Sequence, residues 1–173
     1  MGIMKTLHIV GFKNSGKTTL IARWVSLLKA EGRSVAVLKH HGHGGMPSMP
    51  DDETDTMQFW NSGADTTVVA GGGAVQLLWN EEPPFDQLKA LSTMGHPDVL
   101  LIEGYKSEPG EKIILLRSAE DWNPLGELTD IRLVVGCPEL ELDMPHIQSR
   151  DCVSELDDWF AKWLVEEEAH ETF

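Results

Sequence analysis

Gly11-Phe12-Lys13-Asn14-Ser15-Gly16-Lys17-Thr18, followed by Thr19, satisfies G-x-x-x-x-G-K-[ST] at every fixed position. Its context is the harder test. An apolar run, Leu7 to Val10, precedes it, and an amphipathic stretch from Thr18 to Glu31, closed by Gly32, follows. A strand, a glycine turn and a helix in that order let backbone N–H groups turn inward around a phosphate, and the helix N-terminus adds partial positive charge. In such a loop Gly11 and Gly16 supply the backbone freedom, Lys17 reaches the β- and γ-phosphates, and the Thr18 hydroxyl ligates Mg²⁺. Asn14, Ser15 and Thr19 belong to the same cradle and are nucleotide-binding candidates with them. The second position is Phe12 rather than lysine, so this is the ordinary form of the motif; Lys13 either lies over the phosphates or is solvated.

Working outward, further short apolar runs recur at Val35 to Leu38, Thr66 to Ala70, Val75 to Trp79, Val99 to Ile102, Ile113 to Leu116 and Leu133 to Val135. Several are apolar on consecutive positions, as strands buried on both faces of a parallel sheet require. Helical patterns lie between them, at about Glu53 to Ser62 closed by Gly63, Phe85 to Met94, and Val153 to Glu168. The fold expected is α/β, of the P-loop NTPase kind: a mainly parallel twisted sheet flanked by helices. Gly71-Gly72-Gly73 is too short for a crossover, so Thr66 to Ala70 and Val75 to Trp79 read as an antiparallel hairpin at one edge, the alternative being a glycine triplet that lets backbone approach a ligand. No repeat or linker interrupts the chain, and residues 1–173 are expected to form one nucleotide-binding domain.

Charge narrows the function classes. The 173 residues carry 28 acidic and 14 basic side chains, a formal charge of −14, which makes nucleic acid and anionic membranes poor partners. Cys137 and Cys152 form no close pair, and no apolar run approaches the roughly 20 residues of a bilayer span, so a cytoplasmic protein is expected. An anionic ligand then needs a local exception, and Lys13, Lys17, Lys39 and Lys106 all lie on segments expected to converge.

A Mg²⁺–nucleotide site also wants a carboxylate at the end of a neighbouring strand. Asp98 and Glu103 bracket Val99 to Ile102. Parallel strands point their C-terminal ends toward the ligand crevice, so Glu103 is the metal-side acid and Asp98 a structural residue roughly 15 Å away at about 3.3 Å per residue. Lys39-His40-His41-Gly42-His43 follows another strand, with Lys39 and His41 as candidate ligand contacts. Those histidines, with Asp51, Asp52 and Asp55, suit a transition-metal site, a phosphate- or substrate-contacting loop or a solvated loop. Asp55 either favours a helix N-terminus or meets Mg²⁺ through water.

The combination of the phosphate loop, Lys39 to His43, Asp55-Thr56 leading to Ala64, and Val99 to Lys106 ending in Glu-Gly-Tyr-Lys closely resembles the molybdopterin-guanine dinucleotide biosynthesis protein B family. The resemblance runs from Lys5 to about Val135. It implies a GTP-binding, weakly hydrolysing homodimer that assists the molybdenum cofactor guanylyltransferase in attaching GMP to molybdopterin, with apo-molybdoenzymes as further partners. GTP and Mg²⁺ are the implied ligands, with molybdopterin or its guanine dinucleotide beside them. Lys17 and Thr18 match the family's phosphate and Mg²⁺ residues, Glu103 its acidic strand end, and Asp55 the aspartate of its Gly-Lys-Asp-Ser/Thr stretch. Here Glu53-Thr54 replaces Gly-Lys, and Trp60 stands where the family tends to place arginine, which puts a phosphate or pterin contact by those residues in question. No N-K-x-D motif is present, so preference for GTP rests on the resemblance. Lys17 would stabilise transferred charge while Glu103 or Asp55 orients water, and turnover should be slow, since no motif places an arginine near the γ-phosphate. The alternatives are a metallochaperone GTPase using the His40 to His43 loop, a small-molecule P-loop kinase, and a non-hydrolysing binding module.

Overall fold

The computed structural model describes residues 4–42 and 45–166, and within them the chain divides into two compact units. One comprises Met1–His40 with Lys89–Phe173, the other His41–Leu88.

The first unit is built on six parallel strands in the order β2-β5-β1-β6-β7-β8. They are β1 (Lys5–Gly11), β2 (Val35–Lys39), β5 (Val99–Glu103), β6 (Lys112–Leu115), β7 (Ile131–Val135) and β8 (His146–Ile147). Alternation along the strands feeds two cores, one on each face. Leu7, Ile9, Leu101, Ile113, Leu115 and Val135 pack with Leu20, Ile21 and Trp24 of α1 (Lys17–Ala30) and with Leu156, Phe160 and Trp163 of α5 (Val153–Val165). Val10, Ile114, Leu116 and Val134 pack on the other face with Leu125 of the short helix α4 (Trp122–Leu125). Burial on both faces is why these strands are apolar on consecutive positions. Between α1 and α5 the Trp24 and Phe160 rings stack at 4.2 Å with 3° between their planes, and Phe160 continues onto Trp163 at 5.6 Å. Because all six strands run the same way, Gly11, Lys39, Glu103, Leu115 and Ile147 end on one edge of the sheet.

The expected elements are present, with shifted ends. Helix α5 stops at Val165, and Glu167 and Glu168 lie outside the described residues. Strand β8 has only two residues and leaves no periodicity to read.

In the second unit, α2 (Asp55–Asn61) starts two residues later than the pattern suggests, because Thr54 is its N-cap and accepts from the Met57 amide at 3.4 Å. Strands β3 (Thr66–Gly71) and β4 (Ala74–Trp79) form the antiparallel hairpin, turning at Gly72 and Gly73 with φ of 58° and 82°. The two strands constitute a separate two-stranded sheet. Val68, Val69, Val75 and Trp79 are exposed on it. Helix α3 (Phe85–Ser92) leads back to the first unit. Among the described residues no helix is long and apolar enough to cross a membrane.

Candidate functional site

The phosphate loop leaves the C-terminal end of β1, in the middle of the sheet. Gly11 must be glycine: a Cβ there would lie 2.5 Å from Ser15 Oγ and 2.6 Å from the Leu115 carbonyl oxygen. Gly16 caps α1 at φ 97°, and Asn14 also sits in the left-handed region at φ 64°. These turns bring the Ser15 amide onto the Phe12 carbonyl at 3.3 Å and bury the Ser15 hydroxyl, which has no hydrogen-bond partner among the described residues. Lys17 Nζ donates to the Gly11 and Phe12 carbonyls at 3.1 and 2.8 Å.

Glu103 lies where strand direction put it. Its register partners are Ile9 in β1 and Lys39 in β2, and the side chain is buried. Thr18 Oγ1 donates to Glu103 Oε2 at 3.1 Å, and Lys39 Nζ is 3.5 Å from Oε1. A threonine hydroxyl and one carboxylate, both hard oxygen donors, are a fitting protein contribution for Mg²⁺, which keeps several of its waters.

Burial holds the Lys17 ammonium below the usual lysine range. The Glu103 carboxylate opposes this, while the charges of Lys106, Lys39 and Arg117 add to the lowering. Positive charge is thus concentrated around this loop in a chain of net charge −14. Lys106 Nζ lies 4.4 Å from the centre of the Phe12 ring, so the aromatic residue at the loop's second position seats a cation from the strand-end loop beyond β5. Lys13 contributes its carbonyl to Arg117, and Thr19 is exposed in the first turn of α1.

Other expectations divide. Asp98 sits at the opposite end of β5, where it accepts from the Ser34 amide and hydroxyl, both at 2.7 Å. Those bonds hold its carboxyl below the usual range, and the residue joins β5 to the turn before β2. His40 donates its amide to the Glu103 carbonyl at 3.0 Å, and its ring meets Tyr105 at 4.9 Å. Asp55 and His41 belong to the second unit, with Asp55 in the first turn of α2. His43 lies outside the described residues. Among the described residues no three metal-ligating side chains cluster.

Two arginines at the loop escaped the sequence reading. Arg117 Nη1 donates to the Lys13 carbonyl at 3.3 Å, and its guanidinium lies 5.1 Å from the Phe12 ring centre. Asp121 fixes it through Nε at 2.9 Å and Nη2 at 2.8 Å. Arg150 Nη1 donates to the Asn14 carbonyl at 3.3 Å. Arg117 directly follows an apolar run, so the strand-end argument applied to Glu103 finds it too. Arg150 follows the two-residue β8, and no pattern announces it.

The chain matches the family model described as molybdopterin guanine dinucleotide synthesis protein B over residues 6–136. It is 38% identical to a probable molybdopterin-guanine dinucleotide biosynthesis adapter protein of Bacillus subtilis over 128 residues, 74% of each chain. An adapter protein of that name from Haemophilus influenzae is 28% identical over 161 residues, 91% of this chain and 88% of the relative. Among solved structures, Bacillus subtilis MobB superposes with a TM-score of 0.80 at 30% identity, covering 95% of this chain and all of that one. A MobB homologue from Bacillus stearothermophilus gives 0.73 at 33%, covering 93% and 98%.

Proposed function

This chain belongs to the molybdopterin guanine dinucleotide synthesis protein B family, and from that premise we propose that it is a cytoplasmic, GTP-binding, slowly hydrolysing adaptor in molybdenum cofactor biosynthesis. It assists the guanylyltransferase that joins GMP to molybdopterin, with molybdopterin or its guanine dinucleotide and apo-molybdoenzymes as further contacts. It works as a homodimer, a reading supported by the exposed apolar residues of the hairpin, since a lone two-stranded sheet is marginal in water.

The observation that carries the nucleotide reading is the 3.1 Å bond from Thr18 to Glu103 beside a loop whose first glycine has no room for a Cβ. Thr18 and Glu103 would hold Mg²⁺, which when bound supplies charge neutralisation for the phosphates. Backbone amides from Asn14 to Thr18 bind phosphate oxygens, and the buried Ser15 hydroxyl turns the loop inward. Lys17 exchanges its two carbonyl acceptors for the β- and γ-phosphates and stabilises charge that develops on transfer. Glu103 orients the attacking water, with Asp55 as the alternative residue for that role. Lys39 and His41 are further ligand contacts on this reading.

Calorimetric titration with GTP, ATP and molybdopterin in the presence of Mg²⁺ tests it. GTP should bind, and Lys17→Ala should abolish binding while leaving the circular dichroism intact, because it removes a charge and no buried apolar surface. Unchanged GTP affinity in a folded Lys17→Ala protein would overturn the assignment.

A further inference from the structure

The chain has five arginines. Four are ion-paired: Arg23 with Asp157, Arg33 with Glu31, Arg117 with Asp121, and Arg132 with Glu111 and Glu166. Arg150 is the exception. Among the described residues it pairs with no carboxylate, although acidic side chains outnumber basic ones by 28 to 14. Its guanidinium instead crosses from the loop after β8 to the phosphate loop, where one of its five N–H groups meets the Asn14 carbonyl. Its stem runs beside Gly16, where a Cβ would stand 3.3 Å from Arg150 Cδ.

An exposed guanidinium with most of its donors uncommitted, held against a loop shaped for phosphate, is placed to bind an anion bidentately. The sheet order says which part of the anion it meets. Thr18, Glu103 and Lys39 gather on the β5 and β2 side of β1, which fixes the metal-bearing, terminal-phosphate end there. Arg150 arrives from β8, on the opposite side of β1. We propose that Arg150 is a nucleotide-binding residue supplied in cis by the β8–α5 loop, and that it contacts the nucleoside-proximal phosphates of a guanine nucleotide. This rests on the nucleotide reading above. It also gives the chain a specific reason to close its last strand and helix against the phosphate loop.

The alternative role is a brace that only steadies Asn14, and the two differ in their response to charge. GTP and GDP affinities, each with Mg²⁺, are measured for wild type, Arg150→Ala, Arg150→Lys, Arg150→Gln and Arg150→Glu, with circular dichroism as the fold control. A phosphate contact gives about a tenfold or greater loss in Arg150→Ala, equal for GTP and GDP, as expected for a charge-assisted bond. Arg150→Glu is then weaker than Arg150→Gln, by a margin that narrows as salt rises, and Arg150→Lys retains part of the affinity. Wild-type affinities in folded variants, equal losses in Gln and Glu, or a loss confined to GTP would each overturn the inference. Should Arg150→Ala fail to fold, Lys against Gln carries the same comparison. A wild-type protein that binds neither nucleotide overturns the nucleotide reading itself, and this inference falls with it.

Discussion

Gly11→Ala isolates the fit between the phosphate loop and the sheet beneath it. The added methyl would meet Leu115 O at 2.6 Å, and 3.0 Å is the limit below which Cβ contacts essentially never occur, so the gap must open by at least 0.4 Å. Ser15 Oγ, at 2.5 Å, is a side-chain atom, but Ser15 is itself buried and has little space to turn into. Leu115 O is backbone in β6, locked in register with Gly11. Relief therefore comes from moving the strand end or lifting the loop, an overpacking cost of about 1–3 kcal/mol. For a chain of this size that corresponds to a fall in Tm of roughly 2–12 °C. Lifting the loop also moves the amides aimed at phosphate, and GTP affinity should drop by at least about tenfold, the equivalent of about 1.4 kcal/mol. Differential scanning calorimetry reads the first effect and isothermal titration the second. Gly71→Ala is the control: nothing lies within 4 Å of its Cβ and its φ is not positive, so Tm should hold or rise slightly. Gly11→Ala with wild-type Tm and wild-type GTP affinity would refute the close-approach argument.

Glu103→Gln should lower Mg²⁺-dependent GTP hydrolysis at least about tenfold, whereas Asp98→Asn should leave turnover near wild type and lower Tm instead, because only its two bonds to Ser34 are weakened. Equal losses of turnover in steady-state assays would contradict the strand-direction assignment. The buried His8 adds a pH dependence: burial lowers its pKa first, aided by the charges of Lys112 and Lys89 and opposed by its bond to Gly104. Below the ordinary histidine value of 6.5 the unfolded chain takes up the proton before the folded one does. Its contribution is thus complete above pH 6.5 and lost as pH falls through the lower folded value. His8→Gln should flatten that part of the Tm against pH curve, and an unchanged slope between pH 7 and about pH 5 would count against it.

The sheet was legible because its strands are short, apolar and buried on both faces; consecutive residues such as Val99 to Ile102 admit few other readings in an α/β pattern. The phosphate loop was legible because function fixes residue types there, and Glu103 followed from the common direction of parallel strands. Other features were hidden for physical reasons. Strand β8 pairs through only His146 and Ile147, too few residues to express a period, so the loop behind it and Arg150 had no anchor in the sequence. Arg117 stands one residue beyond Leu116, at a strand end like Glu103, but belongs to no motif that marks it as a cation of the site. The start of α2 was misplaced because acidic residues precede Thr54 without entering the helix, and the cap, rather than charge, sets the boundary. A hairpin is readable from its glycines, but which sheet its strands join depends on tertiary placement.

The aromatic stack behind the sheet gives the protein an optical signature of its own. Trp24 belongs to the helix that begins in the phosphate loop, and Trp159 and Trp163 to the helix that begins just beyond Arg150. Trp159 lies 6.5 Å from both Trp24 and Trp163, with interplanar angles of 23° and 9°. Indoles this close share their excited states, so their near-ultraviolet dichroism and emission belong to the trio rather than to any one ring. Trp24 and Trp163 are sealed from water and Trp159 is half-buried, so a shift of either helix changes that shared signal through the mutual geometry of the rings. Both loops that meet at Asn14 are therefore wired from behind to a native chromophore, which reports on their seating without an added label.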